Sequence, residues 1–165
     1  MVREMIISGL TMDPQTNTPI VVLKDPDSET SLPIWIGLLE ATAIATELEK
    51  VEFSRPMTHD LIKNLMGHLG AKVEKVEVCD LRDNTFYAWI YLNVNGKETR
   101  IDARPSDALA IALRADARIY VDEKVIKKSG KLDSTPKVEI KDEEAKKWTD
   151  ILENLSPEDF GKYKM

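Results

Sequence analysis

Three short segments hold the side chains whose types and spacing could do chemistry: Glu40, the run Arg55-Pro56-Met57-Thr58-His59-Asp60, and the run Asp102-Ala103-Arg104-Pro105-Ser106-Asp107. A carboxylate at Glu40, in the first turn of an amphipathic segment, serves either as a metal ligand or base, or as a complement to a helix dipole. The second segment packs an arginine, a hydroxyl, an imidazole and a carboxylate into six residues. His59 is one of two histidines and can act as acid, base or ligand near neutral pH. Capping of free helix amides accounts for Thr58 and offers a role for Asp60, but it explains neither His59 nor Arg55. In the third segment strand alternation puts Asp102 and Arg104 on one face, and Pro105 opens a helix with Ser106 and Asp107 in its first turn. Such a corner favours an anion such as phosphate, reinforced by Arg104. The plainer alternative is an Arg104 salt bridge to Asp102 or Asp107 that stabilises the corner.

Other chemistries lack their signatures. The sequence has no phosphate-binding glycine loop, no zinc-type Cys/His spacing and no Gly-x-Ser-x-Gly elbow. Cys79, the single cysteine, reads as a strand-packing residue rather than a nucleophile, and His68 as packed or half-exposed. In the segment Thr85 to Asn93, Tyr87, Trp89 and Tyr91 share one face, and Phe86, Ala88, Ile90 and Leu92 share the other. A row of aromatics can stack bases, but packing under a helix layer or a subunit interface is the expectation here.

The elements that must position these segments follow from periodicity. Met5-Ile6-Ile7, Ile20-Val21-Val22-Leu23 and Leu32-Pro33-Ile34-Trp35-Ile36 read as an antiparallel meander, with Pro33 marking a sheet edge or strand start. A helix is expected from about Leu38 to Val51. A second is capped at Thr58 and buries Leu61, Ile62, Leu65, Met66 and Leu69. Val73 to Leu81 is a strand whose alternation slips near Glu74-Lys75, as at a bulge. Asp83-Asn84 is a turn, Asn95-Gly96 a two-residue hairpin, and Lys97 to Ala103 pairs back. Pro105 opens a third helix, and Ile119-Tyr120-Val121 is a last strand. The class is α+β: a mixed, largely antiparallel sheet with three core helices packed on it, plus a C-terminal helical tail. The expected division is a domain over 1–126, a linker over 127–140 and a helical tail over 141–165, the tail carrying Trp148, Ile151, Leu152 and Leu155.

Composition narrows the setting. Of 165 residues 42% are hydrophobic and 32% charged, which suits a folded protein with a real core. No apolar run approaches the roughly 18 residues of a membrane helix, and Met1-Val2-Arg3-Glu4-Met5 lacks the pattern of a signal peptide. With one cysteine, no internal disulfide can form. A cytoplasmic protein without membrane partners is the expectation. The net charge of −6 argues against a protein that coats DNA, but not against a nuclease whose carboxylates are neutralised by cations. Abundant Lys and Glu beside a single glutamine, Gln15, is a bias seen in thermostable proteins.

Several segments together resemble the bifunctional nuclease domain family, small proteins assigned combined DNase and RNase activity. They are Leu32-Pro33-Ile34-Trp35-Ile36-Gly37 with Glu40-Ala41, Arg55-Pro56-Met57-Thr58-His59-Asp60-Leu61, Thr85-Phe86-Tyr87-Ala88, and Asp102-Ala103-Arg104-Pro105-Ser106-Asp107-Ala108. They occur in the family's order and spacing and cover roughly residues 1–130. The ending Leu155-Ser156-Pro157-Glu158-Asp159-Phe160-Gly161 is similar to that of bacterial members.

The resemblance implies phosphodiester hydrolysis in DNA and RNA. Chemistry then suggests roles. Glu40, Asp60, Asp102 and Asp107 are candidate ligands for magnesium or manganese, which prefer oxygen donors. Glu40, His59, Asp60 and Asp102 form the candidate catalytic set, with His59 orienting or deprotonating the attacking water. Arg55, Arg104 and Ser106 would hold the phosphate. The competing function is a non-catalytic dimeric module that binds a protein or a small anionic ligand. In either case a homodimer is expected, because the aromatic strand face and the tail offer apolar surface to cover.

Overall fold

The computed structural model describes residues 1–131 and Asp150. The remainder of the expected linker and tail lies outside the described residues. Chain order is β1 (Val2–Met12), β2 (Pro19–Lys24), β3 (Ser31–Trp35), α1 (Leu38–Leu48), α2 (Thr58–His68), β4 (Ala71–Arg82), β5 (Thr85–Val94), β6 (Lys97–Ala103), α3 (Pro105–Ala115), β7 (Arg118–Asp122) and α4 (Glu123–Lys131). The strands form one seven-stranded sheet in the order β3-β2-β1-β7-β4-β5-β6. Only β4 and β7 run parallel; every other neighbouring pair is antiparallel. This is the α+β architecture expected from the strand–helix pattern.

Local chemistry sets the turns. Asn95 and Gly96 both take positive φ, as the tight β5–β6 hairpin requires, and Asp83 and Asn84 do the same between β4 and β5. Register breaks between Val73 and Lys75, where the alternation slips, and again between Val78 and Asp80. Pro33 falls on β3, an edge strand, where its missing N–H leaves no ladder bond unmade inside the sheet.

One face of β4 and β5 is the core. Val76, Val78, Ala88, Ile90 and Leu92 are buried, and so are Leu109, Ile111 and Ala112 of α3. Helix α1 contributes Ala41, Ile44 and Ala45 to the same cluster and packs beside α3. The aromatic face of β5 is therefore the opposite one: Tyr87, Trp89 and Tyr91 are half-buried and do not lie beneath α3.

Three expectations need correction. Residues 127–131 are not linker but the second half of α4. Val125 is fully buried and Ile126 packs against the core, so Lys127 and Lys128 occupy the polar side of a docked helix. On α2 only Ile62 and Met66 pack inward. Leu61, Leu65 and Leu69 are 51%, 52% and 73% exposed, so the apolar stripe is wider than the surface that covers it. Thr58 is the first helical residue, not the cap; the preceding Met57 N–H is instead bonded by the Asp60 carboxylate, 2.9 Å away. Among the described residues no helix is long and apolar enough to cross a membrane.

Candidate functional site at the start of three helices

The starts of α1, α2 and α3 meet through one arginine and one aspartate. Pro105 fixes the first turn of α3, which places Arg104 at its entry and Asp107 three residues further in. Asp107 splits its carboxylate: Oδ1 lies 2.9 Å from His59 Nε2, and Oδ2 accepts a 2.8 Å bond from Arg104 Nε. Arg104 Nη1 then donates to Glu40 Oε1 at 2.8 Å. The result is a continuous chain, Glu40–Arg104–Asp107–His59, drawn from residues far apart in sequence.

The environments along this chain differ. The Arg104 side chain is 63% exposed, whereas that of His59 is only 14% exposed. Burial would raise the Asp107 carboxyl, but the hydrogen bonds from Arg104 and His59 outweigh it, and the group is held below the usual carboxylate range. The bonds to Asp107 and then Glu40 raise the Arg104 guanidinium, so it stays charged. With Nε2 held by a carboxylate, the imidazole is fixed in orientation and Nδ1 is left as the atom that can exchange a proton. Gly37 makes room for this arrangement: a Cβ placed there would overlap the Glu40 carboxylate.

A second contact locks α2 onto α3. Arg114 Nε donates to Asp60 Oδ1 at 2.7 Å, and Arg114 is almost wholly buried, with 5% of its side chain exposed. Arg114 follows Asp107 by seven residues, so both lie on one face of α3. Two consecutive residues of α2, His59 and Asp60, thus dock on that face. Sequence reasoning did not single out Arg114. The available signal was its spacing from Asp107. Both Asp60 oxygens are engaged, by Arg114 and by the Met57 N–H. Beyond this pair lies a cavity of about 280 Å³ lined by Glu47, Glu52, Phe53, Asp60 and Arg114. Its acidic walls do not suit a phosphate.

The other candidates stand apart from the chain of contacts. Arg55 is exposed in the segment before α2, and Ser106 is buried in the first turn of α3. Asp102 is exposed on β6 opposite Trp89, without a hydrogen bond or ion pair among the described residues. Also among the described residues, no group of three or more His, Cys, Asp and Glu side chains is placed to hold a metal ion. Between Glu40 and Asp107 the guanidinium of Arg104 already supplies the positive charge. The four carboxylates proposed as ligands are therefore not gathered into one cluster among the described residues.

Residues 21–133 match the model of the bifunctional nuclease domain. The chain belongs to that family. It is 39% identical over 162 residues to an uncharacterized protein of Mycobacterium tuberculosis, covering 95% of this chain and 97% of the relative. Identity to Bifunctional nuclease 1 of Oryza sativa subsp. japonica is 27% over 114 residues, or 67% of this chain and 34% of the rice protein. For Bifunctional nuclease 1 of Arabidopsis thaliana it is 29% over 109 residues, 64% of this chain and 34% of the relative. The match thus spans about a third of those plant proteins.

Proposed function

We propose that this protein hydrolyses phosphodiester bonds in DNA and RNA at the Glu40–Arg104–Asp107–His59 corner. The observation that carries the reading is the division of the Asp107 carboxylate between an imidazole and an exposed guanidinium. One acid thereby orients both a proton acceptor and a phosphate-binding cation. In the proposed step, water oxygen forms the new bond to phosphorus and its proton passes to His59 Nδ1. The bond from phosphorus to the leaving sugar oxygen breaks, and Arg104 balances the negative charge that builds on the phosphoryl oxygens. Glu40 holds Arg104 in place from the other side. Membership of the bifunctional nuclease domain family supports the substrate class.

No step in this scheme passes through a divalent ion. The test compares wild type with Asp107→Asn and His59→Ala on single-stranded DNA and RNA, with and without EDTA. The reading expects cleavage that both substitutions lower by about 10²- to 10⁴-fold. Equal cleavage by the variants, with folding intact, would refute it. Loss of wild-type activity in EDTA would restore a magnesium or manganese site to the mechanism. A folded wild type that cleaves nothing would favour a binding module for a protein or small anionic ligand.

The same reading includes a homodimer. Leu61, Leu65 and Leu69 present an apolar stripe on α2, and Ile101 is half-exposed on edge strand β6. Light scattering should report twice the chain mass, and Leu61→Glu with Leu65→Glu should return it to one. A cytoplasmic setting rests on the lone Cys79 and on the lack of a membrane-crossing helix among the described residues. Thermostability rests on composition and on the ion pairs that tie distant elements, such as Arg3 to Asp25 and Glu123.

A further inference from the structure

We infer that a single-stranded nucleic acid lies across the open face of β5 and runs from there into the Arg104 corner. This rests on reading the corner as the cleavage site, and it names the form of the substrate. Tyr87, Trp89 and Tyr91 occupy alternate positions on the face opposite the core. Along a strand such positions lie about 7 Å apart, so the rings mark separate stacking positions. Tyr120 of β7 lies on the same face, because Tyr120 pairs with Glu77 and Glu77 with Trp89.

Cations cover this row. Arg82 sits 3.9 Å above the Tyr87 ring, Arg100 4.4 Å above Trp89, and Lys75 4.5 Å from Tyr91 and 5.4 Å from Tyr120. Among the described residues neither Arg100 nor Lys75 has a carboxylate within ion-pairing distance, although the chain carries an excess of acids. Their charge is held against rings instead. A guanidinium stacked on a ring keeps its outer plane for a base and its edge for a phosphate, the combination that single-strand platforms use. The nearby acids are mostly engaged: Glu77 accepts the Tyr91 hydroxyl, and Asp80 is held by Lys128 and Arg82. Glu98 and Asp102, on either side of Arg100 along β6, are the exceptions among the described residues.

Register connects the row to the corner. Tyr91 pairs with Arg100, Trp89 with Asp102, and Ala88 with Ala103. β6 ends at Ala103, and the next residue, Arg104, caps α3. The proposed path follows β6 past Ala103 to the guanidinium that Asp107 and Glu40 orient. A duplex cannot use this face, because its bases are already stacked inside and only their edges are offered.

The test is fluorescence anisotropy with a short fluorescein-labelled oligothymidylate, and with the duplex it forms with oligoadenylate, in EDTA. Wild type, Arg100→Gln and Tyr91→Ala are compared as full-length protein, with thermal melts confirming the fold. The inference expects the single strand to bind at least tenfold more tightly than the duplex. Tyr91→Ala should weaken binding about tenfold. Arg100→Gln should weaken it and lower the slope of log affinity against log salt by about one. Duplex binding as tight as single-strand binding would overturn the inference, as would Arg100→Gln and Tyr91→Ala variants with unchanged affinity and salt slope. Cleavage by wild type with no effect of these two substitutions on binding removes the platform and leaves the nuclease. Platform binding without cleavage removes the nuclease and leaves the platform.

Discussion

His59 Nε2 and Asp107 Oδ1 stand 2.9 Å apart although 48 residues separate them, and the contact joins the first turn of α2 to the first turn of α3. Asp107 is the point through which the imidazole and Arg104 are both oriented. Asp107→Asn keeps the shape but loses the charge that holds the two groups. Cleavage should fall by about 10²- to 10⁴-fold, the range for removing a positioned proton-transfer group. Steady-state kinetics on single-stranded DNA would read this, with circular dichroism confirming an intact fold.

Glu40 acts on Arg104 from the opposite side, and its effect should separate stability from activity. The Glu40–Arg104 pair is largely exposed on the arginine side, so Glu40→Gln should cost about 1 kcal/mol or less in thermal or urea unfolding. The same change frees one side of the guanidinium and should lower the cleavage rate. Gly37→Ala should do likewise by a steric route, since the added methyl would take the space of the Glu40 carboxylate. If Gly37→Ala leaves activity at the wild-type level, the Glu40–Arg104 bridge does not matter for the reaction.

The buried Arg114 behaves differently. Its removal leaves Asp60 without its cation and opens space between α2 and α3, so Arg114→Ala should destabilise the protein by about 2–3 kcal/mol. Urea denaturation measures this. The α2 start would loosen with it, so cleavage should fall even in conditions where the variant remains folded.

The sequence exposed the parts of this fold that depend on neighbouring residues. Asn95-Gly96 dictates its hairpin because only the two central residues need positive φ. The slip at Glu74-Lys75 was visible for the same reason. The apolar stripe of α2 was legible as a stripe, but periodicity cannot say what covers it, and Leu61, Leu65 and Leu69 face outward. The α4 lysines resemble linker because Val125 and Ile126 are the only apolar residues of that helix. At the site, the residue types were evident and their partners were not. Asp107 was read as a metal ligand because spacing cannot reveal that α2 brings His59 to it. Arg114 resembled any cation in a last helical turn until Asp60 was seen against it.

Acid should weaken the fold in a definite direction. The Arg3 hydrogen bond, with those from the Asp27 amide and Ser28, lowers the Asp25 carboxyl; bonds from Lys128 and the Leu81 amide lower Asp80; Asp107 is lowered by Arg104 and His59 despite its burial. A carboxylate with a depressed folded-state pKa binds fewer protons folded than unfolded through the acid range. Its contribution is present above the ordinary carboxylate pKa and is lost as pH falls through the folded value. Thermal midpoints should therefore drop as pH is lowered from neutrality through and below the usual carboxylate range. Arg3→Gln removes the main cause of the Asp25 shift and unties β1 from the β2–β3 turn and from α4. That variant should melt lower at neutral pH, and its midpoint should fall less steeply with acid than that of wild type. A parallel fall in the two proteins would mean that the Arg3–Asp25 pair does not contribute to the acid response.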